Sequence, residues 1–257
     1  MKRFPFLLLS MFYLVPAFAE TPLRVAAAAD LQPVLPPILD QFRQATGITV
    51  DVTYQASAAL TAQIQNGAPF DLFLSADLGY PKRLIDAGLA DAAGSPDSTT
   101  PITYARGTLV LWTRKDSHLP PPSLDLLRSP ELKRLAIANP DRAPYGRAAI
   151  AALTSLKLYD TLKPRLVTAE NIAQAAQFVD SGNADAGLIS LTSALTPKLA
   201  ASGSCFVIPR DLYPPIDQGA VIITRTTQRA AVHLLLDYLL SAPIQAQLAK
   251  SGLTPVK

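Results

Sequence analysis

ITVDVTYQASAALTAQIQNGAPFDLFLSAD, Ile48 to Asp77, sets two β-type runs around one helical run. Ile48–Tyr54 is rich in β-branched residues and reads as a strand. Leu60 and Ile64 stand four residues apart, which is helical spacing, and Asn66-Gly67 ends that run. FDLFLSA then returns as a further strand. A strand, a helix and a strand in so short a space point to a parallel sheet covered by helices.

The same alternation extends outward in both directions. Upstream, Leu23–Ala29 (LRVAAAA) reads as a buried strand, and Leu31, Val34, Leu35, Ile38, Leu39 and Phe42 recur at helical spacing before Gly47. Pro33 is harmless in a first turn, but Pro37 would clash one turn deeper, so a distorted helix start is expected. Downstream, Tyr80–Ala87 reads as a helix ended by Gly88.

A polar stretch, Asp91–Thr100, then precedes a second series. Its strands are Thr108–Thr113, LAIANP, Arg165–Thr168 and Ala186–Ser190; its helices are Ala148–Leu156, Asn171–Val179 and Thr192–Ala201. CFVIP and GAVIIT follow as strands, and helices over Gln228–Leu240 and Pro243–Leu248 close the chain. Two series separated by a polar break predict an α/β protein of two lobes. Each lobe is expected to be a mainly parallel sheet flanked by helices, and a two-segment hinge joins them. The final helices are expected to return to the first lobe. The expected division is lobe I at residues 20–103 and 206–257, lobe II at 104–205, and a signal peptide at 1–19.

That signal peptide rests on Lys2-Arg3, the apolar run Phe4–Val15 and the small-x-small pattern Ala17-Phe18-Ala19. The apolar run is too short for a membrane span, which needs roughly 20 residues. A mature chain in the periplasm is expected, and no cysteine near Ala19 marks it for a lipid anchor. With 49% hydrophobic and 17% charged residues the chain has the composition of a well-buried globule. One cysteine, Cys205, excludes an intrachain disulfide and a CxxC site; beside a strand it is expected to be small and buried. Net charge is +3 with no basic stripe, which speaks against nucleic acid as a partner.

Catalytic patterns are missing. His118 and His233 are far apart and read as solvated or packed side chains, and G-x-S-x-G, H-E-x-x-H, GxxxxGK[ST] and GxGxxG do not occur. Neither an enzyme nor a bound cofactor is expected. The informative positions are the strand-to-helix junctions, where open α/β sheets bind ligands and helix starts offer unpaired N–H groups with partial positive charge. Ala26–Ala29 before Asp30 allows close approach of the backbone to a ligand. Ser57 adds a hydroxyl to a second junction, and Ala143–Gly146 (APYG) opens another helix.

VAAAADL (Val25–Leu31), the Ile48–Asp77 block, NPDRAPYG (Asn139–Gly146) and AENIAQAAQFVDSGNADAGLIS (Ala169–Ser190) together resemble the periplasmic molybdate-binding proteins of bacterial ABC importers. Those have the type II periplasmic binding-protein fold. The resemblance implies a molybdate or tungstate ligand, passed to a membrane permease, and a monomeric binding protein. Carried over by position, it implies ligand contacts at Asp30, where the family has Ser or Asn, at Ser57 through N–H and hydroxyl, and at Ser190 through its hydroxyl. It also implies contacts from the backbone N–H groups of Tyr145 and Ile172. The only metal so implied is the molybdenum or tungsten of the oxyanion.

About seven neutral donors could hold a dianion without Lys or Arg, since each charge-assisted hydrogen bond contributes about 1.5–3 kcal/mol. Fixed donors also disfavour a protonated ion such as hydrogen phosphate. Asp30 departs from the family pattern, because a carboxylate aimed at a dianion is repelled. It is expected to be an N-cap turned to the N–H of Gln32 or the next residue; binding the metal of a six-coordinate oxyanion is the other role open to it. Sulfate or an organic acid is the alternative ligand, the acid through Arg106 or Arg142. Trp112, near the expected hinge, should report closure by its fluorescence.

Overall fold

The structure, a computed structural model, describes residues 21–92 and 99–256. The expected signal peptide and most of the polar break lie outside the described residues. The strands form two sheets. The first holds β1 (Leu23–Ala28), β2 (Val50–Gln55), β3 (Leu72–Ser75), β4 (Ala90–Ala92) and β5 (Ile102–Gly107). The second holds β6 (Leu109–Arg114), β7 (Leu135–Ala138), β8 (Leu166–Ala169), β9 (Ala186–Ser190) and β10 (Gly203–Val207). β11 (Ile216–Ile223) and β12 (Thr254–Pro255) rejoin the first sheet.

Strand order is β12-β5-β11-β3-β1-β2 in the first sheet, with β4 also on β11, and β10-β6-β9-β7-β8 in the second. Each sheet contains a parallel ladder of three strands, β2-β1-β3 and β8-β7-β9. Antiparallel strands complete it: β11, β4, β5 and β12 in the first sheet, β6 and β10 in the second.

The chain passes from the first sheet to the second between Gly107 and Leu109 and returns between Val207 and Ile216. The boundaries expected at 103/104 and 205/206 fall inside β5 and β10. β5 escaped the reading of the sequence because Pro101, Arg106 and Gly107 break its apolar pattern and merge it with the polar stretch before it.

The helices are α1 (Leu35–Thr46), α2 (Ser57–Gln65), α3 (Gly79–Asp86), α4 (Pro144–Ser155), α5 (Tyr159–Leu162) and α6 (Ile172–Asp180). They continue with α7 (Leu191–Ala194), α8 (Pro197–Ser202), α9 (Arg229–Leu240) and α10 (Ala242–Lys250). β1 shows why its apolar run is continuous: both faces are covered. Leu23, Val25 and Ala27 pack with Ile38 and Phe42 of α1 and with Leu235 and Leu239 of α9. Ala26 faces the other way, toward Leu60 and Ile64 of α2 and Leu84 of α3.

The expected clash at Pro37 does not arise. α1 begins only at Leu35, so Pro36 and Pro37 lie in its first turn, where the missing N–H groups had no helical acceptor. A 3-10 turn, Ala29–Leu31, fills the gap after β1. The expected helix Thr192–Ala201 is two helices, because Pro197 starts α8 with Thr196 capping it by accepting from the Leu199 N–H.

Two further expectations are corrected. Cys205 is exposed, since β10 is an edge strand with Ser204 and Val207 also outward. Trp112 is fully buried in the second sheet's core rather than at a hinge segment, beside Gly203, where an added Cβ would run into its ring.

Candidate ligand-binding site

A small cavity of about 10 Å³ lies where the two parallel ladders end. From the first lobe its wall comes from Ala28, Ala29 and Asp30 after β1, from Gln55, Ala56 and Ser57 at the β2-to-α2 junction, and from Ala76 after β3. The second lobe adds Ala143, Pro144 and Tyr145 at the start of α4, and Asn171 and Ile172 at the start of α6. The alanines keep the backbone close. Three helix starts therefore meet at one point, each with N–H groups that precede the helical ladder and a partial positive charge. No Lys or Arg lines the cavity.

Hydrogen bonds tie the lobes together around it. The Ala58 N–H, in the first turn of α2, donates to the Arg142 carbonyl at 3.1 Å. The Tyr80 hydroxyl donates to the Asp141 carbonyl at 3.3 Å, and Arg147 of α4 pairs with Asp77, which also caps α3 through the Tyr80 N–H. The Tyr145 hydroxyl crosses to Asp30 Oδ2 at 3.2 Å. That hydroxyl fits only because position 107 is glycine, since a Cβ there would stand 2.3 Å from it.

Asp30, Ser57, Tyr145 and Ile172 are thus brought together, and Ser190 is not. Ser190 is fully buried, but its hydroxyl caps α7, accepting from the Ser193 N–H at 3.2 Å. Among the described residues it is linked to the site through Thr192, whose hydroxyl lies 2.9 Å from Ser190 Oγ and 2.8 Å from the Asp30 carbonyl oxygen. Ser57 Oγ accepts from the Ala76 N–H at 3.1 Å, so its hydroxyl hydrogen remains available to a ligand.

Asp30 is not an N-cap. The 3-10 turn carries no side-chain cap, and the Gln32 N–H donates to the Ala29 carbonyl instead. So short a turn satisfies its own backbone, which leaves the carboxylate to other donors: Gln218 Nε2 and the Tyr145 hydroxyl both donate to Oδ2. Burial pushes the Asp30 carboxyl up to about 6, and these hydrogen bonds only partly oppose it. The phenols of Tyr145 and Tyr104 are raised well above their ordinary value, first by burial and then by the nearby Asp30 charge.

Reading the sequence missed Gln218, Thr192, Tyr80 and Arg147. Gln218 gave no signal, since it stands between Asp217 and Gly219 and its burial comes from the fold. The Arg clamp considered for an organic acid is absent from the cavity. Arg106 pairs with Asp217 on the neighbouring strand, and Arg142 with Glu170 at 2.7 Å. Among the described residues no cluster of His, Cys, Asp or Glu could hold a metal ion, and no helix is long and apolar enough to cross a membrane.

The profile of the bacterial extracellular solute-binding proteins matches residues 23–254. The molybdate-binding protein ModA of Azotobacter vinelandii is 40% identical over 216 residues, covering 84% of this chain and 83% of its own. The solved periplasmic molybdate-binding protein of the same organism superposes with a TM-score of 0.83 at 32% identity, over 91% of this chain and 100% of its own. The sulfate-binding protein SubI of Mycobacterium tuberculosis shares the fold with a TM-score of 0.76 at 18% identity, covering 92% of this chain and 88% of its own. The fold is accordingly that of the type II periplasmic binding proteins. A match from the first strand to the last, with relatives alike over more than four-fifths of the chain, leads to one placement: this protein belongs to the family of bacterial extracellular solute-binding proteins.

Proposed function

We propose that this protein captures molybdate or tungstate outside the cytoplasm and delivers it, as a monomer, to the membrane permease of an ABC importer. The observation that carries this reading is the cavity where α2, α4 and α6 begin, walled by both lobes and free of cations. The relatives named as molybdate-binding proteins support the ligand. The donors are the hydroxyl and N–H of Ser57 and the N–H groups of Tyr145 and Ile172. Ser190 stays with α7 and contributes only to the support of Asp30.

A tetrahedral dianion suits such a wall. Helix starts favour negative charge, and fixed N–H and O–H donors each contribute about 1.5–3 kcal/mol to an ionic acceptor. The cavity is small, about 10 Å³, far below the roughly 300–1,000 Å³ usual for drug-sized ligands, which disfavours larger organic acids. Residues 1–19 serve as the signal peptide, and the chain up to Gly107 with Ile216–Val256 moves as one lobe against Thr108–Tyr213 when the ligand enters and leaves.

Isothermal titration of the mature protein at pH 6 with molybdate, tungstate, sulfate and phosphate tests the reading. Saturable one-to-one binding of the first two, with sulfate and phosphate much weaker, is expected. A folded protein that binds none of the four would refute it. Calorimetry is a better reporter than Trp112 fluorescence, since that indole is fully buried away from the site.

A further inference from the structure

Asp30 Oδ1 and Gln218 Oε1 are buried acceptors with no hydrogen-bond partner among the described residues. Leaving such an atom unmet costs about 1–3 kcal/mol. Gln218 and Tyr145 both donate to Oδ2, so Oδ1 is the one buried polar side-chain atom of the cavity wall left unpaired. An oxygen placed there can meet an anion in two ways. As part of a carboxylate it only accepts, and it requires a ligand that carries a proton. As part of a carboxylic acid it donates its own proton to a ligand that has none.

The surroundings choose between these states. Asp30 is faced by Tyr145 from α4, Tyr104 from β5, Gln218 from β11, Thr192 from α7 and Ile172 from α6, none of them cationic. The charged residues of these elements are engaged elsewhere: Arg147 with Asp77, Arg106 with Asp217, and Asp180 with Lys198. β2, which also packs on the turn, carries only exposed Asp51 and half-buried Tyr54, and Arg24 of β1 is exposed. Burial, even against the hydrogen bonds from Gln218 and Tyr145, already holds the carboxyl at about 6, and a dianion in the same cavity raises it further by like-charge repulsion.

Resting on the oxyanion function above, we propose that Asp30 meets its ligand as a neutral carboxylic acid, so that capturing a fully deprotonated dianion draws one proton from solvent onto this side chain. The ligand keeps all its bonds, the carboxylate gains the proton, and release of the anion returns it to the buffer. The protonated group offers the ligand the O–H of Oδ1 and keeps Oδ2 as the acceptor of Gln218 Nε2 and the Tyr145 hydroxyl.

Affinity is then level below about pH 6 and falls about tenfold per pH unit above it, because binding must first protonate Asp30. Titration calorimetry of the mature protein with molybdate from pH 6 to pH 8, in buffers of low and high ionisation heat, reads both quantities. Uptake approaching one proton at pH 8, with a Kd up to about 100-fold weaker than at pH 6, is the expected result. Asp30→Asn is expected to abolish proton uptake and flatten the profile. Molybdate binding by the wild type that is level with pH and takes up no proton would overturn the inference while leaving the proposed function intact. So would tight binding of hydrogen phosphate that Asp30→Asn destroys, the mark of an accepting carboxylate. The buffer-dependent heat of the wild type decides the matter even where the variant folds poorly. If the wild type binds no oxyanion at pH 6, the proposed function fails and this inference with it.

Discussion

Ser57 and Asp30 occupy neighbouring stretches of one wall and make opposite demands. Ser57 offers a hydroxyl hydrogen, its oxygen already serving Ala76. Ser57→Ala should therefore weaken molybdate binding by about 1.5–3 kcal/mol, roughly 10- to 150-fold in Kd by calorimetry, and an unchanged Kd would remove the hydroxyl from the site. Asp30 is held at a folded-state value of about 6 against 3.8 in the unfolded chain. Below 3.8 both states are protonated and burial exacts no electrostatic penalty. As pH rises toward 6 only the unfolded chain gives up its proton, so stability falls through that window and is level above it. Asp30→Asn removes the effect. Urea unfolding should show the variant gaining on the wild type between pH 4 and pH 6, to about 3 kcal/mol, and a gap that does not change with pH would contradict this. The sequence identified Asp30 as the position where an anion site is at odds with a carboxylate. It could not identify Gln218 and Tyr145 as its donors, because those contacts span 188 and 115 residues.

Helix starts bring the donors to the cavity, and tight seams hold the helices in place. At Gly146, in the first turn of α4, an added Cβ would lie 2.3 Å from the Ala138 carbonyl oxygen at the end of β7. Gly146→Ala should push α4 off the sheet. A loss of about 1–3 kcal/mol in urea unfolding is expected, with weaker molybdate binding because the Tyr145 N–H moves too. A variant as stable as wild type would show that this seam can give. The parallel ladders and their helices were legible in the apolar periodicity, as β1 and α2 illustrate. β5 was not, since its pairing partners β11 and β12 lie over a hundred residues further on and supply what its own sequence lacks. The break between α7 and α8 was legible in principle from Thr196-Pro197, a cap followed by the residue that suits a first turn.

Closure belongs to the molecule as a whole. Arg147 with Asp77, the Tyr80 hydroxyl with the Asp141 carbonyl, and the Ala58 N–H with the Arg142 carbonyl all join opposite lobes near the cavity. Such contacts exist only in the closed form, so they bias the hinge toward it. Removing the first two in Arg147→Ala combined with Tyr80→Phe should favour the open form and raise the Kd for molybdate several-fold. In solution scattering the radius of gyration of this variant without ligand should exceed that of the wild type, and equal radii would show that these contacts do not govern the hinge. The position of β11 carries a separate consequence, for the order of folding. β11 lies between β5 and β3, so the first sheet cannot close until residues 216–223 have been made, whereas every strand of the second sheet lies within residues 109–207. The second sheet pairs its strands over shorter stretches of chain and closes first, while the N-terminal strands wait for their middle partner. Pulse-labelled hydrogen exchange on refolding would then find β7 and β9 protected while β3 and β11 still exchange.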